Sequence, residues 1–298
     1  MSGASGMLGT TLSQALAARH FPLLQLVRRA PDEPNQIQWN PASAPSIPHA
    51  QGLEGLTAAI HLSGANLAAH RWTEDYKRVI VESRVNSTRA LATTLAGLRQ
   101  PPQMLLVASA VGIYGNRGDE LIDETSPLGT GFLAGLCQDW EAAARPAAEA
   151  GIRVLHLRFG VILGPAGALA RILPLFRLGL GGKLGNGRQF MSWISITDAL
   201  QAILFLLESP NLDGPFNFTA PTPVTNDQFT NTLARRLHRP ALLSVPAFAL
   251  RLALGEMADE MLLSGARAYP AKLSAAGYQF THPSLVHALP DILPPKQP

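Results

Sequence analysis

Three glycines open the chain at a spacing of three, Gly3-x-x-Gly6-x-x-Gly9, directly ahead of a run that reads as a helix. Such a triplet meets three needs: a tight turn, close approach of backbone to a pyrophosphate, and a helix start whose free N–H groups and dipole attract the anion. Gly3, Ala4, Ser5, Gly6, Met7 and Leu8 are therefore candidates for cradling a dinucleotide. Nineteen positions after Gly9, Arg28 and Arg29 stand at the end of an apolar run, where an acidic residue would take the ribose 2′-hydroxyl of NAD. Guanidinium suits a 2′-phosphate instead, through charge-assisted, bidentate bonds, so the expected cofactor is NADP. The usual proton-transfer pair is missing. Tyr76, Tyr114, Tyr269 and Tyr278 are followed four positions on by Ile80, Gly118, Leu273 and His282, so there is no Tyr-x-x-x-Lys.

The elements that must position these residues alternate. Leu8 to Arg19 reads as a helix leaving the glycine loop and Leu23 to Val27 as a strand. Ala30 to Gln51 is an irregular connection with one short strand around Ile37 to Trp39. Ala58 to Leu62 is the next strand, and Thr73 caps a long helix reaching about Leu98, with Glu74 and Asp75 in its first turn. Met104 to Ser109 and Arg153 to Leu157 are further strands, separated by a helix from Phe132 to Ala150 that bends or ends near Pro146. Alternation of this kind predicts an α/β fold with a doubly wound parallel sheet. Beyond Gly164 come a Gly-rich run (Gly179 to Gly187), a strand-like Phe190 to Ile196, an apolar helix from Asp198 to Leu207, a strand at Phe216 to Thr219, a helix capped by Thr225, and helices within Pro246 to Gly265. The expected division is a nucleotide domain over 1–165, rejoined by 190–210, and a small, mainly helical C-terminal domain over 166–298. In this architecture the strand ahead of the glycine loop is central, yet only Met1 and Ser2 precede Gly3; the reading expects a natural start upstream, with Met1 inside that strand.

Composition sets the class. The 298 residues are 47% hydrophobic and 15% charged, with net charge +3, one cysteine and no stretch of about 18 apolar residues. The expectation is a cytoplasmic globular protein that meets neither membrane nor nucleic acid: basic residues are scattered, and aromatics at 6% offer no stacking platform. Its partners are expected to be an unidentified small-molecule substrate of anionic type and, at most, a second copy of the chain. No His/Cys cluster has metal-ligand spacing.

With the glycine loop, Arg28, His61-Leu62-Ser63-Gly64 and Ser109-Ala110-Val111-Gly112-Ile113-Tyr114-Gly115 in view, the chain resembles extended short-chain dehydrogenase/reductases, the NAD-dependent epimerase/dehydratase superfamily. More narrowly it resembles the atypical "epimerase family protein" subgroup, through segments such as Arg71-Trp72-Thr73, Ser83-Arg84, Asp139-Trp140-Glu141, Leu157-Arg158-Phe159-Gly160, Gly187-Arg188-Gln189, Ser192-Trp193-Ile194 and Gly255-Glu256-Met257. The resemblance implies a Rossmann domain binding NADP(H) and a small C-terminal domain, with no settled substrate. It implies cofactor contacts from the glycine loop, Arg28, Leu62, Ser63, Gly64 and Ser83, with Ser109 and Arg158 near the nicotinamide end. Leu133 and Cys137 stand where the family at large carries Tyr and Lys, Ala110 where it carries the catalytic Ser, and Ser195 where the subgroup carries His.

Substitutes for the lost acid and base are Tyr114 and Ser109, taken as the catalytic candidates. The acidic run Asp119, Glu120, Asp123 and Glu124 reads as a solvated turn, His61 as a satisfied core histidine, Cys137 as core and Asp198 as a helix cap. Lys183, Arg188 and Gln189 are candidates for an anionic substrate. Two functional readings follow: an NADP(H)-dependent oxidoreductase of epimerase type without the usual triad, or a non-catalytic NADP(H) sensor or scaffold.

Overall fold

Helix α1 (Met7–Ala18) leaves the glycine loop with Leu8, Leu12 and Leu16 buried at intervals of four, the spacing of one helix face. This chain is seen in a computed structural model that describes residues 1–293. Strands β1 (Gln25–Val27) and β2 (Gln36–Gln38) pair in parallel, as do β3 (Ala58–His61) and β4 (Met104–Ala110). The latter carry apolar runs without alternation, as strands buried on both faces must. With β5 (Arg153–Phe159), and β8 (Gly214–Phe218) after the shorter strands below, the larger sheet has the order β8-β5-β4-β3. The place between β1 and β3 is held by Met1 and Ser2: Ser2 bridges Leu26 on one side and His61 on the other, both in parallel sense, and Met1 O accepts from Leu26 N. The order around it, β2-β1-Ser2-β3-β4-β5, is that of a dinucleotide-binding sheet.

Between β3 and β4 runs one continuous helix in three parts: α2 (Glu74–Val81), a π-turn (Glu82–Asn86) and α3 (Ser87–Ala96). Thr73 caps it as expected, its hydroxyl accepting from Tyr76 N. The expected long helix is present but contains the wider turn, which no sequence pattern foretold. Helices α4 (Phe132–Ala142) and α5 (Arg145–Glu149) together cover the helix expected over Phe132 to Ala150, interrupted near Pro146 as anticipated, with Pro146 in the first turn of the second.

The chain clusters into two compact units, and their bounds differ from the 165/166 cut. The first unit holds Met1–Ser109, Leu136–Leu157 and Leu206–Pro215; the second holds Ala110–Gly135, Arg158–Phe205 and the chain from Phe216 onward. The differences arise because β4 and β5 are seven-residue strands whose last residues cluster with the second unit. Residues 190–205, expected to rejoin the nucleotide domain, also belong to the second unit. There β6 (Val161–Leu163) pairs in parallel with β7 (Trp193–Ser195), and α6 (Ala168–Arg177) and α8 (Asn226–Leu237) close a core of Leu163, Leu173, Phe176, Trp193, Phe229 and Leu233. Helix α7 (Ile196–Leu207) precedes α8, and α9 (Ala247–Leu254) and α10 (Leu285–Ile292) complete the helical tail, α10 adding Leu285 and Leu289 to that core. Thr225 and Gln228 form a reciprocal capping box on α8. No helix of the described residues is long and apolar enough to cross a membrane.

His61, at the end of β3, is fully buried between the Ser2 hydroxyl at 2.6 Å and the Ser87 hydroxyl at 3.1 Å. Burial, aided by the nearby terminal amine, lowers its pKa to about 3. The folded pKa lies below the unfolded value near 6.5, so the unfolded chain binds the extra proton in that window and stability falls as pH drops through it. The expected contribution is roughly 1.4 kcal/mol per pH unit below about 6. Urea unfolding of wild type and His61→Gln between pH 7 and pH 4.5 checks this: the variant is expected to lose the steeper part of the decline.

Candidate functional site

In the first unit the glycine loop turns through Gly3, whose φ of +74° belongs to the left-handed region. A Cβ there would lie 2.7 Å from the Leu62 carbonyl carbon and 2.9 Å from Ser63 N, so loop and β3 exit touch backbone to backbone. A Cβ on Gly9 would fall 2.1 Å from Gly3 O. Only glycine fits either place. The turn closes through Gly6 N donating to Gly3 O, and α1 starts with neither a side-chain cap nor an acidic residue in its first turn. The first-turn amides thus remain available to an anion, and the fit to a pyrophosphate follows from the chain's own geometry.

Arg28 and Arg29 follow β1 as expected, but they differ. Arg29 is paired with Asp32 at 2.5 Å. Arg28 is exposed and has no ion pair or side-chain hydrogen bond among the described residues. Ser83 sits on the π-turn, where its hydroxyl accepts from Ala65 N at 3.0 Å and donates to Ile80 O. It therefore shapes the segment after Leu62, Ser63 and Gly64.

Ser109 ends the first unit's stretch of β4, 2% exposed, and donates to Glu141 Oε1 of α4 at 2.8 Å. Glu141 is one turn beyond Cys137, which is buried. Helix α4 thus offers a carboxylate that holds a serine. Sequence reasoning gave Glu141 no role; its one signal was a carboxylate beside Trp140 on a helix whose other inward residues are apolar.

Tyr114 and Arg158 belong to the second unit. Arg158 Nη1 donates to the Tyr114 hydroxyl at 2.9 Å, and that hydroxyl donates to Asn217 Oδ1 at 2.7 Å. Asn217 is tied in turn, its amide nitrogen donating to Tyr269 O and its backbone N to Glu124 Oε1. Tyr114 is fully buried. Burial pushes its phenol pKa up, against the opposing pull of Arg158. A proton donor or acceptor working near neutrality needs the opposite shift. Burial likewise raises the Glu124 carboxyl. The acidic run expected as a solvated turn therefore splits. Glu120 pairs with Arg117 and Asp123 caps Thr125 and Ser126 at the surface, whereas Glu124 is interior and also accepts from Lys272 N.

Ser195 caps α7, accepting from Asp198 N, and the Asp198 carboxylate receives Ser195 Oγ, Thr281 N and His282 N. Asp198, expected as the cap, is instead the acceptor that ties the tail to α7. Of the three anion candidates, Gln189 is spent on the Leu184 and Leu262 carbonyls, while Lys183 and Arg188 have no ion pair among the described residues. No group of three or more metal-ligating side chains occurs among the described residues.

Residues 1–218 match the model of the NAD dependent epimerase/dehydratase family, and residues 245–292 match a domain of unknown function, DUF1731. The chain is 46% identical to epimerase family protein Mb2239 of Mycobacterium bovis over 97% of its own length and 95% of that protein's. It is 37% identical to epimerase family protein YfhF of Bacillus subtilis, over 98% and 97%. Among solved structures, human epimerase family protein SDR39U1 with NADPH superimposes with a TM-score of 0.89 at 34% identity, covering 98% of this chain and 97% of that one.

Tyr114→Phe is expected to leave Arg158 and Asn217 without a shared partner and to lower unfolding stability by about 1–3 kcal/mol. Urea denaturation checks it; an unchanged midpoint would mean that the hydroxyl contributes nothing to the second unit's interior.

Proposed function

The chain belongs to the NAD-dependent epimerase/dehydratase family, and from that premise we propose that it binds NADP(H) on its first unit and moves hydride between the nicotinamide and a small carbonyl or hydroxyl compound. One observation carries the cofactor half: Arg28, free and exposed at the end of β1, on the same unit as a helix start with uncapped amides. A free guanidinium there gains two charge-assisted bonds from a 2′-phosphate and nothing comparable from a 2′-hydroxyl. The NADPH held by the human relative, whose chain matches this one over nearly its whole length, supports the same choice.

When bound, the nicotinamide supplies the hydride chemistry. The chain's part is to orient the dinucleotide and move one proton. For that we assign Ser109: its hydroxyl is already held by Glu141, so a proton taken from a substrate alcohol by Ser109 Oγ passes onward to the carboxylate, and returns by the same path in reduction. Tyr114 serves this step poorly because its hydroxyl is committed to Arg158 and Asn217. Lys183 and Arg188, free of carboxylates, fit an anionic substrate. A second reading, a sensor or scaffold without turnover, is favoured by the raised phenol pKa at Tyr114. Loss of reduced-nicotinamide absorbance when NADPH-loaded protein meets a panel of carbonyl metabolites supports the oxidoreductase; no loss with any class supports the sensor.

NADPH is expected to raise Tm well above the shift given by NADH. Arg28→Ala should erase the preference, a loss of roughly 10- to 100-fold in NADPH affinity, and Arg29→Ala should change it far less. Calorimetric titration of both cofactors reads the pattern; equal affinities in wild type would remove the basis for NADP over NAD.

A further inference from the structure

Arg267 is held firmly in place and has no counter-ion. It lies in the second unit, on a two-residue strand (Arg267–Ala268) that pairs in parallel with Leu121–Ile122. Its neighbours Ala266 and Ala268 are both buried, so strand alternation turns Arg267 to the opposite side. There its guanidinium carbon stands 5.2 Å from the centre of the Phe190 ring. The backbone on either side is laced down: Ser192 Oγ donates to Ala266 O at 2.7 Å and accepts from Ala268 N at 2.9 Å, and Gln189 Nε2 donates to Leu262 O. A Cβ on Gly265 would fall 1.9 Å from Phe190 O, so the two segments meet backbone to backbone. Ring and strand are thereby fixed relative to each other.

The guanidinium itself is unsatisfied. None of its nitrogens has a hydrogen bond or ion pair among the described residues, and Nε is buried as well. Packing on an aromatic face steadies the cation but leaves its N–H groups without acceptors, and a buried donor in that state is disfavoured. Carboxylates on the adjoining segments answer other donors: Glu120 pairs with Arg117, Asp259 pairs with Arg251, and Glu260 accepts from Leu133 N. Asp119 is exposed and has no ion pair. Residues 179–191, which lead into and past Phe190, contain no carboxylate but carry Lys183 and Arg188, likewise without ion pairs. Of the three Arg267 nitrogens only Nε is closed off from water, so Nη1 and Nη2 remain reachable. A guanidinium covered on one face and open at its end presents two parallel N–H groups, which match two oxygens of a carboxylate or phosphate and have no such match in a neutral carbonyl.

We propose that Arg267 is a substrate-binding residue that grips an oxyanion, carboxylate or phosphate, carried by the compound on which the chain acts, with Phe190 holding the plane of the grip. The assignment rests on the oxidoreductase reading and names the class of its substrate, a carbonyl or hydroxyl compound bearing a negative group. It also ranks the cations of the second unit. Arg267 makes the directed contact, whereas Arg188, exposed, adds an attraction that salt screens.

The test uses the full chain with NADPH at saturation, so that a small anion cannot occupy the glycine loop. Malonate, inorganic phosphate and neutral malonamide are titrated at constant ionic strength into wild type, Arg267→Gln, Arg267→Lys and Arg99→Gln, and Tm is measured without probe. Wild type is expected to bind malonate or phosphate and not malonamide, the tighter of the two anions telling carboxylate from phosphate. Arg267→Gln is expected to weaken that anion about tenfold or more and Arg267→Lys several-fold, while Arg99→Gln, an exposed arginine of the first unit, leaves it unchanged. Unchanged affinity in Arg267→Gln, with or without a lower Tm, overturns the assignment. So does an equal loss in Arg99→Gln, which would reflect net charge alone, and so does wild type that binds neither anion up to about 50 mM. Should Arg267→Gln not fold, Arg267→Lys decides: several-fold weakening supports the assignment and unchanged affinity overturns it. Failure of the oxidoreductase reading looks different. Wild type that oxidises NADPH with no carbonyl compound, yet loses the anion in Arg267→Gln, keeps the anion site and removes the reaction; turnover that Arg267→Gln leaves intact keeps the reaction and removes the assignment.

Discussion

No side chain fits at Gly3, and the first unit is arranged around that contact. The loop crosses the end of β3 so closely that backbone meets backbone, with the Leu62 carbonyl carbon 2.7 Å from the position a Cβ would take. A larger residue would push α1 away from the sheet and move its first-turn amides with it. Two further features depend on the same placement: Ser2 can bridge both β1 and β3 only if the chain turns immediately after it, and Gly9 must pass within contact of Gly3 O. The geometry of the loop is thus a property of backbone packing.

Buried polar groups are paired in two separate sets, one in each unit. In the first unit Ser109 leans on Glu141; in the second Tyr114 is enclosed by Arg158 and Asn217, with Glu124 receiving Asn217 N. The two sets have opposite chemical consequences. A serine hydroxyl that already points its proton at a carboxylate is prepared to pass that proton on. A phenol that donates to an amide oxygen and accepts from a guanidinium is satisfied as it stands, and ionising it would put a negative oxygen against Asn217 Oδ1. Fully paired buried networks hold a core in one arrangement. The same pairing has the Tyr114 hydroxyl accept from Arg158 and donate to Asn217.

Much of the architecture was legible because its signals are local. Thr73 and Thr225 announce helix starts, the apolar runs of β3 and β4 announce buried parallel strands, and Pro146 marks the break between α4 and α5. The glycine triplet and Arg28 were legible for the same reason, since their spacing encodes a turn and a strand end. What escaped is tertiary. Nothing in residues 74–96 marks Glu82–Asn86 as a π-turn, because one extra residue in a turn alters the helix period too briefly to leave a pattern. Asp123 and Glu124 are neighbours of like charge, yet one caps a surface turn while the other accepts from Asn217 and Lys272 inside the second unit. Composition cannot separate them; only the partner segments do. The cut at 165 failed to anticipate the contact units because β4 and β5 each supply residues to both.

The arginines show why exposure changes what a charge means. Arg29 and Arg28 are adjacent, but Asp32 satisfies the first and leaves the second to solvent. Water stabilises an exposed guanidinium almost completely, so holding Arg28 ready requires no compensation elsewhere, and it can discriminate only by what a ligand places beside it. Arg84 is the opposite case. Its guanidinium is buried among carbonyls, and burial disfavours its charge. A surface cation therefore asks nothing of the fold, whereas a buried one must be held by neutral acceptors. The π-turn carries Arg84 inward to Ala65, while Arg28 follows β1 at the surface.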